Sequence, residues 1–181
     1  MPDEMTINSS RLRLVRGDLT DMDMEAFVFY ARDDLELGSG FGTAITLRGG
    51  PTISEELKKM KKLEPTHAVV SSAGELKARY IIHANGPKFQ EKDMEGKLEK
   101  TILNSLKQAE KKGIKSIAFP PMGAGFYGVP LPTSAKIMIR TISEYLAGET
   151  KIEDIVICLI DNRELKAFQE KMKTNGKEEK L

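Results

Sequence analysis

The sequence predicts an α/β domain in which mostly parallel strands are covered by helices on both faces. Two observations carry that expectation. From residue 79 onward, apolar runs alternate with amphipathic segments in the order strand, helix, strand, helix, strand, helix. That alternation requires crossover connections between parallel strands. The run Ile155 to Ile160 contains no charge, which suits a central strand.

The elements follow in chain order. Arg11 to Arg16 alternates charged and apolar residues, the pattern of a half-buried strand. Ala26 to Tyr30 is a short apolar run and reads as a buried strand. Thr52-Ile53-Ser54-Glu55 has capping-box spacing and opens a helix that Pro65 is expected to end. His67 to Ser71 and Arg79 to His83 read as strands separated by a turn at Gly74, so some antiparallel pairing is expected in this half. Met94, Leu98, Ile102, Leu106 and Ala109 share one helical face, and Gly113 follows the charged end. Ser116 to Phe119 is the next strand. Pro132 suits the first turn of a helix whose apolar face is Ala135, Met138, Ile139, Ile142 and Leu146. Leu165, Phe168 and Met172 form a last helical face. A single domain over residues 1–173 is expected, with a charged tail at 174–181 that frays.

Composition narrows the function. A chain of 181 residues fits one domain with one sizeable core. Its 28 basic and 27 acidic residues leave a net charge of +1, which argues against nucleic-acid binding through a basic field. One cysteine, Cys158, excludes a disulfide framework or a cysteine-based zinc site within the chain. The two histidines, His67 and His83, are too few for a histidine-rich metal centre, so neither metal nor cofactor is expected. No 18-residue apolar run and no signal-peptide pattern occur, so a cytoplasmic protein without membrane contact is expected.

Two glycine-rich loops carry the chemistry. Gly38-Ser39-Gly40-Phe41-Gly42 follows the Ala26–Tyr30 strand, and Gly123-Ala124-Gly125-Phe126-Tyr127-Gly128 follows Ser116–Phe119. Glycines let backbone N–H groups approach a ligand and point at it together, and a strand, such a loop and a helix N-terminus make a phosphate cradle. Gly123 to Gly128 matches G-x-G-x-x-G, but Val129-Pro130-Leu131-Pro132 delays the helix and no acid follows at dinucleotide-fold spacing. Each loop alone also reads as a tight turn; together they point to one shared anion site. Gly17-Asp18-Leu19-Thr20 follows the first strand. Asp18 there either accepts an exocyclic amine such as adenine's or caps a turn.

These pieces, with Tyr80-Ile81-Ile82-His83-Ala84-Asn85-Gly86-Pro87, stand in the order of a macro domain, and the resemblance spans Leu12 to Met172. It implies a three-layer α/β/α fold with a mixed, mostly parallel six-stranded sheet. It also implies binding of ADP-ribose, with Appr-1″-p processing or removal of ADP-ribose from proteins in some members. By motif, Asp18 would accept the adenine amine and Leu19 would meet the ring. Gly38, Ser39, Gly40 and Phe41 would form the first pyrophosphate loop. Gly123, Ala124, Gly125, Phe126 and Tyr127 would form the second, with the two aromatics near the distal ribose. Asp161 and Asn162 would sit by the adenine end.

The chain departs from that pattern where hydrolysis would need it. The asparagine of the family that holds the distal ribose aligns with Arg32, and the aspartate after the first loop aligns with Gly42. Without those polar groups the ribose and its water lose their usual orientation. Arg32 is expected either to pair outward with Asp33 or Asp34 or to reach inward and favour an extra anionic group on the ligand. Asp33 and Asp34 read first as exposed turn carboxylates, His83 as a hydrogen-bonded core histidine, and Cys158 as a small core residue. The expected function is binding of ADP-ribose or a related adenine nucleotide, free or on a modified protein, without strong hydrolase activity. A divergent ADP-ribosyl or O-acetyl-ADP-ribose hydrolase, or an ADP-ribose 1″-phosphate phosphatase, is the alternative. A poly(ADP-ribose) or RNA module is weaker on charge grounds.

Overall fold

The computed structural model describes residues 3–178. Seven strands form one sheet in the order β1-β2-β7-β6-β3-β5-β4. They are β1 (Glu4–Ile7), β2 (Ser10–Arg16), β3 (Ala26–Tyr30), β4 (Ala68–Ser72), β5 (Tyr80–Ala84), β6 (Ser116–Phe119) and β7 (Asp154–Leu159). The five central strands run parallel, and both edge strands, β1 and β4, run antiparallel to their neighbours. The helices are α1 (Phe41–Gly49), α2 (Thr52–Lys58), α3 (Met94–Lys112), α4 (Leu131–Ala147) and α5 (Asn162–Glu178).

Strand periodicity sorts the core into two layers. Ala26, Val28 and Tyr30 of β3 face one side and pack with Leu98, Ile102 and Leu106 of α3, Met138 and Ile142 of α4 and Phe168 of α5. Phe27 and Phe29, pointing the other way, pack with Ile45 of α1 and Ile53 and Leu57 of α2. All five residues of β3 are buried, because a central parallel strand has a helix layer on each face. The result is the expected α/β/α sandwich.

The structure corrects several sequence expectations. The sheet has seven strands rather than six, because the four-residue segment β1 is too short to show an alternation of its own and is held by pairing with β2. The Gly38–Ile45 segment is not all loop, since α1 begins at Phe41. The α2 helix ends at Lys58, well before Pro65, and Thr52 is its first residue rather than its cap, with Pro51 at the cap position. β7 stops at Leu159, leaving Ile160 outside the sheet and 60% exposed. The helix α5 extends into the segment 174–181 as far as Glu178, and residues 179–181 lie outside the described residues. Among the described residues, no helix is long and apolar enough to cross a membrane.

Candidate functional site

Parallel strands end on one edge of the sheet, and the loops that leave them there diverge. β3 and β6 are neighbours, but β3 leads to α1 in one helix layer and β6 leads to α4 in the other. Such a switch point opens a crevice beyond the strands' carboxyl ends. The crevice here is a cleft of about 520 Å³ walled by both glycine-rich loops. It extends from residues following β2 and β7 to residues following β3, three strand spacings apart in the sheet, or about 14 Å.

The loops take conformations that glycine allows. Gly38 and Gly40 have φ of +67° and +62°, and Gly40 precedes the first residue of α1. Gly123 and Gly125 have φ of +77° and +78°, and a 3-10 turn spans Gly125–Tyr127. A side chain at either pair would be strained in the left-handed region. At the start of α1 the Gly42 N–H is taken by the Ser39 carbonyl at 3.1 Å, whereas the N–H groups of Phe41 and Thr43, and those of Phe126 and Tyr127 in the 3-10 turn, make no backbone hydrogen bond among the described residues and are available to an anion.

Of the residues singled out from the sequence, Leu19, Arg32, Gly38, Ser39, Gly40, Phe41, Gly123, Ala124, Gly125, Phe126 and Tyr127 line this cleft. Asp18, Asp161 and Asn162 do not themselves line it; each adjoins in sequence a residue that does, Leu19, Ile160 and Arg163, and each is bonded to a neighbour. Asp18 Oδ1 accepts from the Thr20 backbone N–H at 2.9 Å and the Thr20 hydroxyl at 2.8 Å, capping the 3-10 turn Leu19–Asp21. Its Oδ2 is ion-paired with Arg48. Burial pushes the Asp18 carboxyl up, but the hydrogen bonds from Arg48 and Thr20 and the arginine's charge outweigh it and hold its pKa below the usual carboxylate value. Asp161 Oδ1 accepts from the Glu164 backbone N–H at 2.9 Å, in the manner of a helix cap. Asn162 Oδ1 accepts from Arg16 at 2.6 Å.

Sequence reasoning missed the far end of the cleft. Ile160, Arg163 and Glu164, after β7, join Leu19 there, and Phe29, Tyr30, Leu37 and Val129 line its walls. An apolar residue just past a strand reads as more strand, so Ile160 gave no signal of its own. Glu164 is the one carboxylate lining the cleft among the described residues. It is 6% exposed, and its Oε2 accepts from the Ile160 backbone N–H at 2.8 Å.

At the opposite end Tyr127 leans on Tyr30, with ring centroids 4.7 Å apart, and meets Phe126 edge-on at 5.3 Å. Phe126 is 91% exposed, an aromatic face without a covering partner among the described residues. The Tyr30 hydroxyl donates to the Pro87 carbonyl, and burial holds its pKa far above neutrality. Arg32 combines features of both expectations. Its Nη2 donates to Asp34 Oδ2 at 2.7 Å, yet the residue lines the cleft. It also lines an adjoining groove of about 460 Å³ with Thr66, Asn85 and Lys88. Asp34 is held below the usual carboxylate range by the Glu36 backbone N–H and by Arg32.

Gly42 lies inside α1, and an added Cβ would stand 1.7 Å from the Leu37 carbonyl oxygen. An aspartate cannot occupy that position unless the first loop moves. His83 is fully buried, its Nε2 is 2.8 Å from the Ser71 hydroxyl, and its Nδ1 has no partner. Burial lowers its pKa to about 4. Cys158 is buried too, and burial pushes its thiol up to about 11. Neither residue lines the cleft. Among the described residues no group of three or more His, Cys, Asp or Glu could hold a metal ion.

The chain has relatives among known proteins. A family model described as Macro domain matches residues 31–138. A macro domain-containing protein of Caldanaerobacter subterraneus is 37% identical over 164 residues, covering 87% of this chain and 93% of that protein. An O-acetyl-ADP-ribose deacetylase of Escherichia fergusonii is 33% identical over 175 residues, covering 93% and 99%. A mutant of the Oceanobacillus iheyensis macrodomain, solved with ADPR, superposes with a TM-score of 0.92 at 28% identity, covering 96% of this chain and 98% of that one.

Proposed function

This chain belongs to the macro domain family, and from that premise we propose that it binds ADP-ribose or a related adenine nucleotide without strong hydrolase activity. The observation that carries the reading is the single cleft walled by both glycine loops. Its dimensions fit an extended nucleotide. The pyrophosphate lies between the loops, where the first N–H groups of α1 and of the 3-10 turn face it. The adenine lies toward Leu19 and Ile160, and the distal ribose toward Arg32, Phe126 and Tyr127. The ligand is free or carried on an ADP-ribosylated protein.

Hydrolysis is the second reading, favoured by the kinship with a protein named O-acetyl-ADP-ribose deacetylase. The residues argue against rapid turnover. Arg32 offers a guanidinium, which is a poor general base. Gly42 leaves no space for a carboxylate, and Glu164 lines the cleft at the end assigned to adenine, away from the distal ribose. Calorimetry with ADP-ribose, ADP and AMP tests the binding. A turnover assay on an ADP-ribosylated protein tests the chemistry. The reading requires ADP-ribose to bind and turnover to stay below about 1 per second, the lower end of ordinary enzyme rates. A cleft that takes none of the three nucleotides refutes it.

A further inference from the structure

Arg48 belongs to no motif of the two glycine loops, yet it is bonded to the residue assigned to the base. It stands in the last turn of α1, the helix that the first loop opens. Its Nη1 donates to Asp18 Oδ2 at 2.5 Å and to the Thr20 hydroxyl at 2.8 Å. The Thr20 hydroxyl in turn donates to Asp18 Oδ1, which also accepts the Thr20 backbone N–H. A carboxylate oxygen has two acceptor positions. Oδ1 therefore has both filled, and Oδ2 has one filled and one open. The carboxylate is fixed from two elements, with a single acceptor position free.

We propose that Arg48 is the residue that sets base selectivity, by holding the Asp18 carboxylate oriented so that its one open acceptor position meets a donor at C6 of a purine. This rests on the adenine end being at Leu19, as proposed above. A 6-amino purine brings an N–H to that position. A 6-oxo purine brings lone pairs against a carboxylate, an unpaired and repulsive contact. The ion pair is exposed on both sides, with side chains 54% and 43% accessible, so it adds little to folding. Its consequence belongs to recognition: without Arg48, only Thr20 holds the carboxylate, through Oδ1, and Oδ2 loses the bond that fixes its aim.

The test compares ADP with IDP, which carries a carbonyl oxygen where ADP carries the amine, on the wild type, Arg48→Ala and Arg48→Lys. Wild type should prefer ADP by about tenfold, the ratio that one hydrogen bond of ordinary strength confers. In Arg48→Ala the preference should fall to within about twofold, through loss of ADP affinity, while the melting temperature stays near that of wild type. Arg48→Lys should fall between, since an ammonium supplies the charge without the planar fork. An unchanged ratio in Arg48→Ala overturns the proposal, as does equal weakening of ADP and IDP, which would make Arg48 a general anion contact. A wild type that binds both equally overturns it while leaving nucleotide binding intact. A wild type that binds neither overturns the functional reading as well.

Discussion

Gly125→Glu separates the cleft from the scaffold, because its two costs can be worked independently. Gly125 has φ of +78°, and an added Cβ would meet no heavy atom within 4 Å. The added Cβ therefore meets no clash, and the backbone cost is the left-handed strain of a non-glycine residue, about 1–2 kcal/mol. For a chain of this length that lowers the melting temperature by about 2–8 °C. The new carboxylate stands in the second loop, against the proposed pyrophosphate. One charge pair at about 4 Å costs between about 1 kcal/mol in water and about 4 kcal/mol at a protein surface. Two phosphate charges therefore lose at least about 2 kcal/mol, or about thirtyfold in affinity. Gly113→Glu is the matched control. Gly113 has φ of +74° with the same open surroundings, but it ends α3 and does not line the cleft. Calorimetry with ADP-ribose and a thermal melt on both variants give the comparison. Both should melt slightly early, and only Gly125→Glu should lose binding. Unchanged affinity in Gly125→Glu would remove the second loop from the site, and equal loss in both variants would make the effect one of stability.

Three further outcomes follow from the same geometry. Asp18→Ala removes the acceptor and the turn cap together, and should weaken ADP-ribose and AMP alike by on the order of 1.5–3 kcal/mol; equal affinities in calorimetry would leave Asp18 as a cap only. Arg32→Asn should weaken ADP-ribose 1″-phosphate relative to ADP-ribose if the guanidinium leaves Asp34 for the ligand, and a titration showing no change in that ratio would fix Arg32 in its outward pair. His83 makes stability depend on pH: burial lowers its folded-state pKa to about 4 against 6.5 unfolded, so the unfolded chain binds the proton more tightly. That contribution is fully present above pH 6.5 and is lost as pH falls toward 4, by up to about 3 kcal/mol. Denaturant midpoints at pH 7 and pH 4.5 should differ less in His83→Leu than in wild type; an equal difference would assign the acid sensitivity to other groups.

Much of the fold was legible because it is written in local periodicity. The alternation at Arg11–Arg16, the apolar runs of β3, β6 and β7 and the helical faces of α3, α4 and α5 each depend on a residue and its near neighbours. The glycine loops were legible for the same reason, since positive φ at Gly123 and Gly125 calls for glycine whatever packs nearby. The α1 helix was not. Its glycine-rich start reads as loop, and its interior glycines are there for contact: an added Cβ at Gly42 would meet the Leu37 carbonyl, and one at Gly49 would come within 2.5 Å of Ile53. Ile45 then buries completely in a core that only the folded chain provides. The far end of the cleft was equally hidden. The sheet order places β7 between β2 and β6, so Leu19 comes to share a wall with Ile160 and Arg163, more than a hundred positions away in the chain. Local pattern settles which residues form strands, helices and tight loops; strand order settles which loops face one another, because it is fixed by long-range burial and pairing that no window of sequence contains.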